Sequence, residues 1–113
     1  MVYGTRLDHT IANVHILKEA LENNIKAVIV DRNNEIQLIN KKTIIKKDNK
    51  YKYISIIPLT TEVTGVTLKG MKYSLNNYNL KIGSSLGISN EQIEENAEIE
   101  LSSGILIIIK SRD

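Results

Sequence analysis

"KAVIVDRNNEIQLIN", Lys26 to Asn40, is where the chain changes its hydrophobic period. Upstream, Ile11, Val14, Leu17 and Leu21 recur at helical spacing, which predicts a helix from Asp8 to Asn23 with Asp8 as its N-cap. Inside the quoted stretch the period drops to two. "KAVIVD" and "EIQLIN" read as two short strands around a turn at Arg32-Asn33-Asn34. The chain therefore starts with a helix and turns to β-structure, and everything after this point has to be consistent with that change.

It is. "KTIIKK" and "YKYISIIPL" follow, separated by the turn-like "DNK". "TEVTGVTLKG" reads as a strand with a fault, because Val63 and Val66 differ in parity. A bulge at Gly65 would return both to one face. "MKYSL", a turn at Asn76-Asn77, "YNLKIG", a loop, "AEIELSS", a turn at Gly104 and "ILIIIKS" complete the chain. Short strands broken by turns at intervals of roughly 8–12 residues predict a mainly β fold, an antiparallel sandwich or barrel. The preceding helix has no obvious sheet to cover, which leaves its apolar stripe exposed and disposed to self-association.

Composition points the same way. The chain has 113 residues, enough for one small domain, with five Tyr and no Phe or Trp. Ile and Val must fill the core, and β-branched residues suit pleated surfaces. With no cysteine there is no disulfide frame, thiolate metal site or cysteine nucleophile, and a cytoplasmic location is the simplest expectation. No stretch approaches the ~20 apolar residues of a membrane helix. The longest apolar run, "ILIII" from Ile105 to Ile109, has the length of a buried strand. A net charge of +2 is too small to imply a nucleic-acid partner.

Few residue groups carry chemistry. In "GTRLDH", Arg6 and Asp8 stand where a loop enters the helix, a position suited to phosphate through free N–H groups and a bidentate guanidinium. Asp8 suits Mg²⁺ shared with phosphate oxygens. An N-cap aspartate beside a surface arginine accounts for the same residues. His9 and His15 are too few for a metal site. "KKTIIKKDNKYK", Lys41 to Lys52, has six lysines and one acid and reads as the solvent face of a hairpin. Tyr73, in "LKGMKYSL", is placed on a strand after a glycine, where its ring either packs or stacks on a flat ligand. In "GSSLGISNE", Gly83 to Glu91, Ser89 and Gln92 fit a capping box that would begin a helical turn. The same hydroxyl, amide and backbone N–H groups suit a bound heterocycle. No nucleophile–base pair, glycine-rich phosphate loop or carboxylate pair can be assembled.

Taken in order, "GTRLDHTIAN", the stretch from "IPLT" through "EVTGVTLKGMKYSL", and "GSSLGISNE" resemble the C-terminal portion of the bacterial thiamine pyrophosphokinases. Such enzymes join an N-terminal α/β domain for ATP and Mg²⁺ to a C-terminal thiamine-binding β-sandwich. They move a diphosphoryl group from ATP to thiamine, releasing AMP, and are homodimers with thiamine at the subunit interface. The resemblance implies that residues 1–40 are the end of the ATP domain, one helix and a short hairpin, and that residues 41–113 are the sandwich. It implies that Arg6 is an ATP-phosphate ligand and Asp8 a catalytic carboxylate holding Mg²⁺. It further implies that Ser89 and Asn90 hydrogen-bond thiamine while Tyr73 stands against its rings. Gly4-Thr5-Arg6 departs from the family's Gly-Gly-Arg. Most of the ATP site lies outside the chain, so no kinase activity is expected of these 113 residues alone. A non-catalytic module for thiamine or a related heterocycle, and a structural domain working through a sheet edge, are the alternatives.

Overall fold

The computed structural model describes residues 7–113. One helix, α1 (Leu7–Glu22), precedes eight strands: β1 (Ile29–Val30), β2 (Asn34–Ile39), β3 (Thr43–Lys46), β4 (Tyr53–Pro58), β5 (Glu62–Lys69), β6 (Leu75–Lys81), β7 (Asn96–Glu100) and β8 (Leu106–Ser111). They form two four-stranded sheets, ordered β1-β2-β8-β4 and β3-β7-β5-β6, with neighbouring strands antiparallel throughout. The mainly β sandwich expected from strand spacing is the observed architecture.

Strand β8 shows why the apolar run is continuous. It lies between β2 and β4, so both its edges are paired. Leu106 and Ile108 point to the second sheet and are fully buried, as are Val63, Val66 and Ile99 across from them in the same cluster. The alternate residues Ile107 and Ile109 pair with Leu38 and Ile36 on the opposite face. There they pack with Val14, Leu17 and Leu21 of α1. The molecule thus has three layers, helix on sheet on sheet, and β8 is covered on both faces, fully by the second sheet and partly by α1. This corrects the expectation of an uncovered helix: the stripe has its sheet, and Leu17 is among the core residues. Of the four stripe residues, Ile11 alone stays largely exposed.

The bulge expected at Gly65 is present. The β5–β6 register shifts between Val63 and Val66, Gly65 has φ +65°, and both valines are fully buried. Three local expectations fail. Strands β3 and β4 form no hairpin; β3 pairs with β7 and β4 with β8, so the lysine-rich segment between them crosses from one sheet to the other. Asn76-Asn77 is no turn but part of β6, where Asn77 takes φ +49°. Asp8 lies inside α1, in its first turn, rather than capping it, and accepts the His9 backbone N–H at 2.9 Å.

Candidate functional site

The loop from Gly83 to Glu91 lies between β6 and β7 of one sheet and hydrogen-bonds to β4 of the other. Its segment Gly87–Asn90 lies along the free edge of β4. Ile56 N–H donates to the Gly87 carbonyl at 2.8 Å, while Ile54 and Asn90 exchange N–H···O bonds at 2.8 and 2.9 Å. This covers an edge that would otherwise present unpaired backbone groups. Gly87 is required for that approach: a Cβ there would run into the Ile56 carbonyl oxygen. Buried Ser55, on β4, accepts the Ser89 N–H on its hydroxyl at 3.0 Å.

No helical turn begins here. Ser89 has φ +58°, left-handed rather than cap-like, and Asn90 and Gln92 form isolated bridges to Ile54 and Met71. The capping-box reading fails because Gln92 turns its side-chain amide to the carbonyls of Ile45, Glu94 and Glu95. A non-glycine residue in this conformation carries about 1 kcal/mol of strain. Ser89→Gly is therefore expected to leave stability unchanged or raise it by up to ~1 kcal/mol, read as a higher denaturation midpoint.

The other half of the site comes from the second sheet. Tyr73 sits in the connection between β5 and β6, not on a strand as its sequence context suggests. Hydrogen bonds join that connection to the loop and to the residues just after it. Lys72 N–H donates to the Glu91 carbonyl at 2.8 Å, and Ile93 N–H to the Gly70 carbonyl at 2.9 Å. Asn90 Oδ1 accepts the Tyr73 N–H at 2.9 Å, and Asn90 Nδ2 donates to the Tyr73 carbonyl at 2.7 Å. Tyr73 is 58% exposed, with Lys72 Nζ 5.4 Å from its ring centroid and the same ammonium 3.7 Å from Glu91.

Three of the five predicted site residues are thus brought together at the seam of the two sheets. Tyr73 and Ser89 are exposed and Asn90, at 3% exposure, lies beneath them. Exposed Leu86, Ile88 and Ile93 flank them on the same stretch of chain. An accessible ring, a hydroxyl and an apolar border suit a flat heterocycle with a few polar atoms. Sequence reasoning missed Ser55 and Gly87; a lone hydroxyl inside the apolar "YISIIPL" and a second glycine four residues after Gly83 were their signals.

The N-terminal pair is a different case. Arg6 lies outside the described residues. Asp8 is exposed, and no group of three His, Asp or Glu side chains able to hold a metal exists among the described residues. Those residues do not by themselves make a Mg²⁺ site. Two cavities stand out. The larger, about 400 Å³, opens beside the end of α1 among Leu17, Leu21, Ile25, Leu38 and Ile44, and contains none of the predicted site residues. The smaller, about 280 Å³, is walled by Tyr51, Tyr53, Ile54, Glu91 and Gln92 and abuts the seam. The convergence of hydrogen bonds, rather than cavity size, singles out the seam as the candidate site.

A family model described as thiamin pyrophosphokinase, vitamin B1 binding domain, matches residues 41–106. The thiamine pyrophosphokinase of Bacillus subtilis is 39% identical over 113 residues, covering 99% of this chain and 53% of its own. The crystal structure of thiamine pyrophosphokinase from that organism superposes with a TM-score of 0.93, again covering 99% of this chain and 53% of its own. The Geobacillus thermodenitrificans thiamin pyrophosphokinase, 38% identical, gives 0.87 over 98% of this chain and 51% of its own. The chain spans about half the length of these relatives. With the sandwich, the seam and the matched residues in agreement, the chain belongs to the thiamin pyrophosphokinase family through its vitamin B1 binding domain.

Proposed function

We propose that this chain is the thiamine-binding part of a thiamine diphosphokinase, an enzyme that transfers a diphosphoryl group from ATP to thiamine, giving thiamine diphosphate and AMP. The observation that carries the reading is the convergence of Tyr73, Ser89 and buried Asn90 at the seam of a domain whose family binds vitamin B1. Tyr73 offers its ring to the heterocycle and Ser89 its hydroxyl, with Asn90 beneath them. Residues 1–40 are read as the end of an ATP-binding domain and 41–113 as the sandwich, supported by a family match that begins at residue 41. Strand β2 pairs with β8 over six residues, so the two parts share one sheet.

ATP and Mg²⁺ are the co-substrate and metal of this reading, with Arg6 on the phosphates and Asp8 contributing one carboxylate. Diphosphoryl transfer relies on positioning and on cations that neutralise the phosphate oxygens. Arg6 and Asp8 cannot supply that by themselves, so no step is assigned to them. The exposed Leu86, Ile88 and Ile93 support a homodimer with thiamine near the subunit interface. No helix of the described residues is long and apolar enough to cross a membrane, and a cytoplasmic setting fits an ATP-dependent reaction.

Calorimetric titration of the purified chain with thiamine tests the reading, alongside incubation with ATP, Mg²⁺ and thiamine. Saturable binding without thiamine diphosphate is the expected result. Product formation by the chain alone would overturn the division of labour. Absence of any heat or thermal shift would favour a purely structural domain.

A further inference from the structure

We infer that Asn90 serves thiamine binding as a positioning residue, its side-chain amide clamping the Tyr73 backbone and so setting the Tyr73 ring against Ser89, rather than as a group that touches the ligand. The inference rests on the thiamine-site reading above and assigns a role within it.

An amide oxygen has two lone pairs to offer, and both are spent. Asn90 Oδ1 accepts the N–H of Tyr73 and the N–H of Glu91, each at 2.9 Å. Nδ2 donates to the Tyr73 carbonyl at 2.7 Å. The residue is 3% exposed, and its own N–H and C=O are committed to Ile54 on β4. Asn90 is therefore held by one sheet and holds the connection of the other.

Tyr73 is the reverse case. The residue is 58% exposed, it belongs to no strand, and both its backbone polar groups go to Asn90. An aromatic in an open connection loses binding energy to its own freedom unless something fixes its Cα. Pre-organisation removes that cost before the ligand arrives. Asparagine suits the task because one short side chain supplies both a donor and an acceptor, matching a backbone pair. Aspartate keeps the shape but replaces the donor with an oxygen facing the Tyr73 carbonyl, and serine is too short to serve both groups.

The test is a double-mutant cycle on the full 113-residue chain, with thiamine as the titrant in calorimetry. Asn90→Asp and Tyr73→Ala are each expected to weaken binding by about tenfold, the effect of one well-placed hydrogen bond or stacking contact. The double variant is expected to bind no more weakly than Tyr73→Ala alone, since the clamp then has no ring to place. If the Asn90→Asp loss persists in full without the ring, Asn90 contacts thiamine directly and the inference is overturned. Unchanged binding by Asn90→Asp also overturns it while leaving the thiamine site standing. If the unmodified chain does not bind thiamine, the site reading falls and the inference with it.

A second measurement needs no variant and so survives a misfolded Asn90→Asp. By NMR of the unmodified chain, the Tyr73 N–H should exchange slowly despite its exposed ring. The two Asn90 Nδ2 protons should stay distinct and keep their shifts when thiamine is added. Rapid exchange at Tyr73, or a thiamine-dependent shift of the Asn90 side-chain amide as large as that of the Ser89 N–H, would overturn the clamp.

Discussion

Ile108→Ala is expected to lower the stability of the chain by about 3–4 kcal/mol, the usual cost of emptying a core site by that many carbons. Ile108 is fully buried on the central strand β8, directly between Gln37 of β2 and Ile56 of β4. Its neighbours in the sandwich cluster include Val63, Val66, Leu68 and Ile99, all with almost no exposed surface. The backbone around it is hydrogen-bonded on both sides, so the site cannot close over the missing atoms and the residual cavity adds to the transfer term. Against a total stability of roughly 5–15 kcal/mol for such a domain, the drop is large. It should appear as a fall of about 10–20 °C in the melting midpoint. Ile44→Ala, on the exposed side of β3, removes the same atoms where they are half in water and should stay within about 0.5 kcal/mol of wild type. Equal costs for the two would refute the placement of Ile108 in the core.

Much of this core was legible before the structure. The parity break between Val63 and Val66 demanded a bulge, and Gly65 was the residue able to provide it. The apolar run ending at Ile109 had the length of a buried strand. What the pattern hid was the second buried face. The α1 stripe and Ile36, Leu38, Ile107 and Ile109 complement one another across a long separation in sequence, and periodicity inside each segment does not say which segment it meets. The same limit explains the false hairpin of β3 and β4. Neighbours in sequence joined by a turn signal are usually neighbours in a sheet, and here each has a better partner far downstream.

The site divides along the same line. Ser89, Asn90 and Tyr73 were singled out by residue type and by family resemblance, and the structure brings them together. Their roles depend on long-range hydrogen bonds and could not be read locally. In particular, S-x-x-Q has the spacing of a capping box, but Gln92 is drawn away by the Ile45 carbonyl of β3, 47 residues upstream. Arg6 lies outside the described residues, and among those residues Asp8 belongs to no His, Asp and Glu group able to hold a metal.

Gly87→Val should cost about 2–4 kcal/mol and weaken thiamine binding by more than about tenfold, because both the sheet edge and the site hang on the same close approach. The demand at Gly87 is for space. Its φ is not in the left-handed region, but a Cβ would meet the Ile56 carbonyl oxygen, with the Ile56 Cβ at 3.2 Å and carbonyl carbon at 3.3 Å. These are atoms of a strand paired to β8, so they cannot step aside. Relief must come from the loop, which would peel from β4 and lose the Ile56–Gly87 and Ile54–Asn90 hydrogen bonds and the Ser89–Ser55 bond. Asn90 would then move, and Tyr73 with it. Gly83 in the same loop offers the contrast: a Cβ there meets nothing within 4 Å, but φ is +92°. Gly83→Ala should therefore cost only about 1–2 kcal/mol of backbone strain and leave thiamine binding within a factor of about two. Denaturant titrations of both variants, followed by calorimetry, separate the two glycines. If Gly87→Val kept slow exchange at the Ile56 N–H and wild-type affinity, the loop would not depend on its seat against β4, and the seam could not be what holds the site together.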